Sequence, residues 1–230
     1  MCPQCHHALG VKDLLPVLSW LSLLGKCRYC RQPISAQYPL VELTTAVIFV
    51  VSYLYWPEPF TALQVVQFGL WLAIVVGFMA LTVYDARWML LPSRIIHPLY
   101  AITAVFVAVR LLDADRPLVI ALNTLSATII GGGVFLVLYQ LSKGRWIGGG
   151  DIRLGWIFGA LVGAPGLGFM VIFIASLLGC VFALPALVSK KLRASSEIPF
   201  GPFLIAATGI VFLFGASLLD WYLRVVLLST

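Results

Sequence analysis

Residues 62–84 read ALQVVQFGLWLAIVVGFMALTVY, twenty-three positions without a charge, and the residue that follows is Asp85. A helix needs about 20 mostly apolar residues to cross the hydrocarbon core, where backbone N–H and C=O groups find no partner except one another. The stretch reads as a membrane span that ends on a carboxylate. The rest of the chain has the same character. Hydrophobic residues make up 61% and charged residues 10%, against roughly 45–50% and about 25% in soluble domains. In that setting the formal net charge of +6 reflects the basic bias of cytoplasmic loops rather than nucleic-acid binding.

Working outward from this span, seven are expected, at 39–56, 62–84, 94–112, 117–141, 152–164, 166–188 and 200–223. The fifth and sixth divide one uncharged run, Leu154–Ser189, which turns back at Ala164-Pro165-Gly166. Arg94 and Arg110 bracket the third span and are expected to snorkel to its two interfaces. With residues 1–38 placed inside and the spans alternating, twelve of the fifteen Lys and Arg residues fall inside, and only Arg110, Arg116 and Arg224 fall outside. This is the positive-inside asymmetry, and it sets the orientation. Gly155, Gly159 and Gly163 recur every fourth residue, a spacing that lets a second helix approach closely. The fold expected is an all-α polytopic bundle over residues 39–230, preceded by a small cytoplasmic segment, 1–38.

That segment holds Cys2-Pro-Gln-Cys5 and Cys27-Arg-Tyr-Cys30. Two C-x-x-C knuckles about 20 residues apart can offer four thiolates to a structural zinc ion, and so short a segment needs a staple to fold. Two disulfides or free thiols are the alternatives, although disulfides conflict with the cytoplasmic side. His6 and His7 stand beside the first knuckle.

Gly148-Gly149-Gly150-Asp151 opens the fifth span on the same side as Asp85. Each aspartate is followed two residues later by an arginine, Arg87 and Arg153. Two carboxyl groups brought close cannot both ionise cheaply, so one keeps a proton while the other is charged. Such a pair can activate water against a peptide carbonyl and protonate the leaving amine. The glycines would allow unusual backbone conformations and open room for an extended substrate strand. Helix N-capping by Asp151 and interfacial anchoring beside arginine are the plainer readings. Ionisable residues at membrane depth nevertheless point to function.

Taken together, these motifs resemble the bacterial type IV prepilin peptidases, GxGD-type aspartyl proteases of the inner membrane. The resemblance also takes in Pro16-Val-Leu-Ser-Trp20-Leu, Pro33-Ile34-Ser35, Tyr38-Pro39-Leu-Val-Glu42, Leu91-Pro92 and Ile198-Pro199-Phe200-Gly201-Pro202-Phe203. It implies that Asp85 and Asp151 are catalytic and that Cys2, Cys5, Cys27 and Cys30 bind zinc; Gly148, Gly150, Arg87 and Arg153 are expected beside the substrate. It implies removal of the leader from prepilins and from the pilin-like proteins of type II secretion, at the cytoplasmic face. Methylation of the new N-terminus by S-adenosylmethionine is implied as well. Glu42 is a candidate for methyl transfer, against a helix N-terminal charge or a pairing with Arg31. Family members of this kind usually begin with an additional helix before the first knuckle, whereas this sequence opens on the knuckle itself. The peptidase residues are therefore expected to be complete, and the methyl-transfer site is the part on which that helix bears. Prepilins and membrane lipids are the expected partners, and nucleic acid is not. A non-enzymatic transporter or assembly scaffold with a zinc docking module is the rival reading, but transporters place polar groups near mid-membrane.

Overall fold

The computed structural model describes residues 1–2, 4–188 and 198–227. Lys190, Lys191, Arg193 and Glu197 therefore lie outside the described residues. Within them the chain is all-helical, with eight α-helices and no strand beyond the isolated bridge between Lys26 and Pro33. It forms two compact units, Met1–Leu54 and Tyr55–Thr230.

The first unit contains a 3-10 turn at Val11–Asp13, the short α1 (Leu18–Ser22) and the apolar α2 (Gln37–Leu54). The second contains α3 (Ala62–Trp88), α4 (Ser93–Leu112), α5 (Pro117–Ser142), α6 (Gly149–Val162), α7 (Pro165–Val188) and α8 (Gly201–Leu227). Six helices are long and apolar enough to cross a membrane: α2, α3, α4, α5, α7 over Pro165–Pro185, and α8 over Gly201–Val225.

Local chemistry fixes the helix ends. Thr61 caps α3, its hydroxyl accepting the Gln64 N–H at 3.2 Å, and Pro117 sits in the first turn of α5, where its missing N–H costs nothing. Met89 and Lys143 close α3 and α5 in the left-handed conformation.

The stretch expected as a fifth span is shorter than a crossing. At 1.5 Å per residue, the fourteen residues of α6 cover about 21 Å, less than the roughly 30 Å hydrocarbon core. Gly163 stops the helix, turning left-handed at φ +67° with its N–H returned to Gly159 O. A helix ending there leaves carbonyl groups without partners. Arg110 supplies them. Its guanidinium turns inward from α4 and donates to Leu161 O at 2.6 Å and Ala160 O at 3.4 Å. This corrects the expectation that Arg110 snorkels outward: the nearest unsatisfied acceptors are at the end of α6.

α6 is held against α5 by direct backbone contact. A methyl group placed on Gly155 would sit 2.7 Å from Gly131 O, and one on Gly159 would sit 2.4 Å from Ala127 O. Two of the three glycines at four-residue spacing thus serve close packing, Gly155 against Gly131 and Gly132 and Gly159 against Ala127 and Thr128, and Gly163 is the helix stop. Below this contact the core is aromatic: Trp71 of α3 stacks on Phe212 of α8 at 4.0 Å, and Phe106 of α4 meets Phe212 edge-on at 5.8 Å.

Gly159→Ala should force α5 and α6 apart, because the obstruction is backbone and cannot rotate away. The expected loss is about 1–3 kcal/mol, read as a lower thermal midpoint by tryptophan fluorescence in micelles. Gly209→Ala on α8, where nothing lies within 4 Å, should show no loss.

Candidate functional site

In the first unit, the two C-x-x-C motifs fold into matching knuckles. After Cys2 the chain turns at His6, which has φ 55° and returns its N–H to Cys2 O at 2.9 Å. After Cys27 it turns at Arg31, with φ 59° and an N–H to Cys27 O at 3.0 Å. The repeat aims the sulfurs inward. The four Sγ atoms of Cys2, Cys5, Cys27 and Cys30 lie within 4.8 Å of one another, with Cys2 and Cys30 at 4.0 Å. A disulfide requires about 2.05 Å, whereas four sulfurs at 2.3 Å from a central ion lie about 3.8 Å apart. These four residues could hold a metal ion. The N–H groups of Cys5 and Gln4 draw the Cys2 thiol down to about 6. At Cys30 the Gln32 N–H also lowers the thiol, but burial and the thiols of Cys5, Cys27 and Cys2 outweigh it and push the group up to about 11. Without a cation, then, the cluster does not ionise evenly.

The second knuckle is braced by Asp13. Its carboxylate accepts Arg28 Nε at 2.7 Å, the Tyr29 hydroxyl at 3.1 Å and the Gly10 N–H at 3.0 Å. Glu42, on α2, accepts the Val17 N–H at 2.8 Å just ahead of α1. It is an exposed side chain serving as a local brace, and among the described residues the one ion pair is Arg28–Asp13, so Glu42 does not pair with Arg31.

In the second unit, Asp85 lies in the last turn of α3 and Asp151 in the first turn of α6. Both are buried, at 6% and 9% exposure. Each takes one backbone N–H: Gly148 donates to Asp151 Oδ2 at 3.2 Å, and Gly201, at the start of α8, donates to Asp85 Oδ2 at 3.0 Å. Burial first, and then the charge of Asp85, push the Asp151 carboxyl up to about 6. The sixty-five residues between the two acids are thus folded so that Asp151 lies in the field of Asp85.

The neighbouring side chains differ in what they do. Arg87 is exposed and lies over the Trp88 ring at 5.7 Å. Arg153 donates to the Ser93 hydroxyl, while its carbonyl accepts the Tyr100 hydroxyl at 3.0 Å, so it ties α6 to α4. Neither arginine pairs with its neighbouring aspartate among the described residues. None of Gly148, Gly149 and Gly150 adopts a positive φ, and of the three only Gly150 has a steric reason to lack a side chain. A methyl group on Gly150 would sit 2.6 Å from Leu91 Cδ1, whereas Gly149 faces open space. Leu91 also lines a cleft of about 460 Å³ together with Tyr84, Trp88, Leu90, Pro92 and Ser93. Through Leu91 the cleft adjoins Gly150, in the turn before Asp151.

A family model described as the bacterial peptidase A24 N-terminal domain matches residues 1–56, and one described as the type IV leader peptidase family matches residues 72–184. A prepilin leader peptidase/N-methyltransferase of Aeromonas salmonicida (strain A449) is 33% identical over 227 residues, covering 98% of this chain and 75% of that protein. The chain belongs to the type IV leader peptidase family. A protein of the same name from Bacillus subtilis (strain 168) is 29% identical over 229 residues, 98% of this chain and 86% of its own length. A type 4 prepilin-like proteins leader peptide-processing enzyme of Escherichia coli O78:H11 is 32% identical over 213 residues, 88% of this chain and 71% of its own. No solved structure matches the chain. Both buried aspartates fall inside the leader-peptidase match, and the cysteine cluster falls inside the N-terminal one.

The sequence pointed to the two aspartates, the four cysteines, Gly148, Gly150, Arg87, Arg153 and Glu42, but not to the braces Asp13, Ser93 and Tyr100, and it marked the motif of Gly201 without giving that residue a role. That role depends on a contact between positions 116 residues apart.

Asp151 also makes stability depend on pH. Its folded-state value, about 6, is raised above the ordinary 3.8, so the folded protein is favoured fully below pH about 4 and loses that advantage as pH rises through 6. Two units correspond to about 3 kcal/mol. Unfolding scans between pH 4 and 8 should show the wild type losing about that much more stability than Asp151→Asn. Equal pH slopes in the two proteins would contradict this account of the site.

Proposed function

We propose that this protein is a polytopic aspartic endopeptidase of the bacterial inner membrane. It removes the leader from type IV prepilins and from the pilin-like proteins of type II secretion, with its active site facing the cytoplasm. The observation that carries the reading is the burial of Asp85 and Asp151 as interacting carboxyl groups in a family whose relatives are named for leader removal. One carboxyl holds the proton and the other is ionised. The ionised one takes a proton from water as the water attacks the scissile carbonyl. The protonated one polarises that carbonyl and then delivers its proton to the departing amine. The pair titrates as a unit, and neither a metal nor a covalent intermediate enters the step. The cleft beside Tyr84, Trp88 and Leu91 offers an apolar wall along which an extended chain would lie.

The cysteine cluster is a structural zinc site, held by Cys2, Cys5, Cys27 and Cys30. Four thiolates fill a tetrahedron and leave no position for substrate, so the ion would supply folding energy rather than chemistry.

N-methylation of the new N-terminus, with S-adenosylmethionine as donor, is proposed from family membership. Glu42 stays the candidate residue for methyl transfer; its Oε2 accepts the Val17 N–H. No step is assigned to it.

Co-expression with a prepilin, followed on a gel, should show loss of the leader with wild type and none with Asp85→Asn or Asp151→Asn, both of which should still insert. Near-normal processing by either variant would remove the pair from the chemistry. A mass spectrum of the product N-terminus would show whether a methyl group is added. Purified protein should contain one zinc per chain by elemental analysis, lost in Cys27→Ser along with the fold of residues 1–54. Metal-free protein with that unit intact would refute the staple.

A further inference from the structure

Asp85 stands in the last turn of α3, the end of a helix where its own dipole disfavours a carboxylate, and it is buried there at 6% exposure. Asp151 has the easier position, in the first turn of α6 with Gly148 as a local donor. Asp85 must find its donor elsewhere, and the donor is Gly201. The N–H at the start of α8 reaches Asp85 Oδ2 at 3.0 Å, and Gly201 is itself buried. The approach is so close that a methyl group on Gly201 would sit 2.6 Å from that oxygen. The two features belong together: the missing side chain makes room for the carboxylate, and the helix terminus supplies the positive end of a dipole to it.

The surrounding charges do not replace this donor. On α3 itself, Arg87 is directed to the Trp88 ring. On α4, Arg94 and His97 are exposed. On α6, Asp151 is a second carboxyl group and offers no cation, and Arg153 is bound to Ser93. Along the described part of α8 the first charged residue is Asp220, nineteen positions further on.

We infer that Gly201 is a positioning residue for the proposed peptidase: its N–H, carried by the N-terminus of α8, holds the Asp85 carboxyl in place and favours its ionised form. The inference rests on the two-aspartate reading above. α8 then becomes part of the catalytic geometry although it brings no reacting side chain to it, because any shift of its first turn withdraws the donor from Asp85.

The test uses the full chain in micelles. In the Asp151→Asn background, Asp85 is the remaining acid of the pair, and its protonated-carboxyl stretch can be followed by infrared titration. Adding Gly201→Ala should raise the Asp85 midpoint by about one pH unit, the worth of a hydrogen bond to a charged group. Gly209→Ala should not move it. With both aspartates present, Gly201→Ala should lower kcat for prepilin cleavage about 10- to 100-fold, leave KM within about twofold, and shift the acid limb of the kcat profile upward. An unchanged midpoint or an unchanged kcat in folded Gly201→Ala overturns the inference. If Gly201→Ala does not fold, a second measurement decides without it. Labelling phenylalanine carbonyl carbon and glycine nitrogen selects the amides of Gly69, Gly159, Gly201 and Gly215, the four glycines that follow phenylalanine. One of them should titrate with Asp85 in Asp151→Asn and cease to do so when Asp85→Asn is added. If none does, the inference fails. The infrared and resonance readouts need no substrate, so they stand or fall separately from the peptidase reading.

Discussion

In lipid, a backbone polar group has no solvent to fall back on, and each one left without a partner costs several kcal/mol. The arrangement of the second unit follows from how that demand is met around α6. A fourteen-residue helix cannot reach both interfaces, so at least one end must be satisfied by protein. At its C-terminal end Arg110 reaches across from α4 to two carbonyl groups. At its N-terminal end Asp151 accepts the Gly148 N–H. Between them, Gly155 and Gly159 press the helix onto the backbone of α5. Anchored at three places, α6 has little freedom to slide, and the depth at which Asp151 meets Asp85 is fixed by this anchoring.

The same demand explains what could be read from the sequence. Long uncharged runs announce helices because lipid permits little else, so α2, α3, α4, α5, α7 and α8 were legible within a few residues. α6 was placed within a few residues, but hydropathy measures apolar length and does not register that Gly163 stops the helix after fourteen residues. Arg110 was misplaced for a related reason: snorkelling is a local rule, and the carbonyl groups it serves lie about 50 residues away in sequence. The cysteine cluster was legible because metal ligands declare themselves by spacing. The two aspartates stood out because charges are scarce. Gly131, Gly132 and Gly201 were not given roles, since a glycine shows its purpose only when its neighbour in space is known.

The two units solve the problem of small size differently. Residues 55–230 bury helix against helix and carry an aromatic core around Phe212. The first 38 residues have no comparable core. There Trp20 donates to Ile34 O at 3.0 Å, Asp13 gathers three donors, and two chain reversals set four sulfurs together. Hydrogen bonds of this kind fix shape but contribute only about 1 kcal/mol each. A segment so built needs a stronger bond at its centre, which is why the thiol cluster reads as its keystone rather than as an accessory.

In the proposed mechanism, the asymmetry of the two carboxyl groups is the point on which the chemistry would turn. Two acids in identical surroundings would share a proton equally, and either could serve as base. Here the surroundings differ in kind. Asp151 belongs to the helix that donates to it, so its hydrogen bond forms as soon as α6 forms. Asp85 sits at the wrong end of its own helix and depends on a donor from another. Folding of α3 alone therefore leaves the Asp85 carboxylate uncompensated, and only the docking of α8 completes it. A bundle built this way would complete the surroundings of Asp85 last, after α8 has docked, so that its carboxyl is not left buried without a donor.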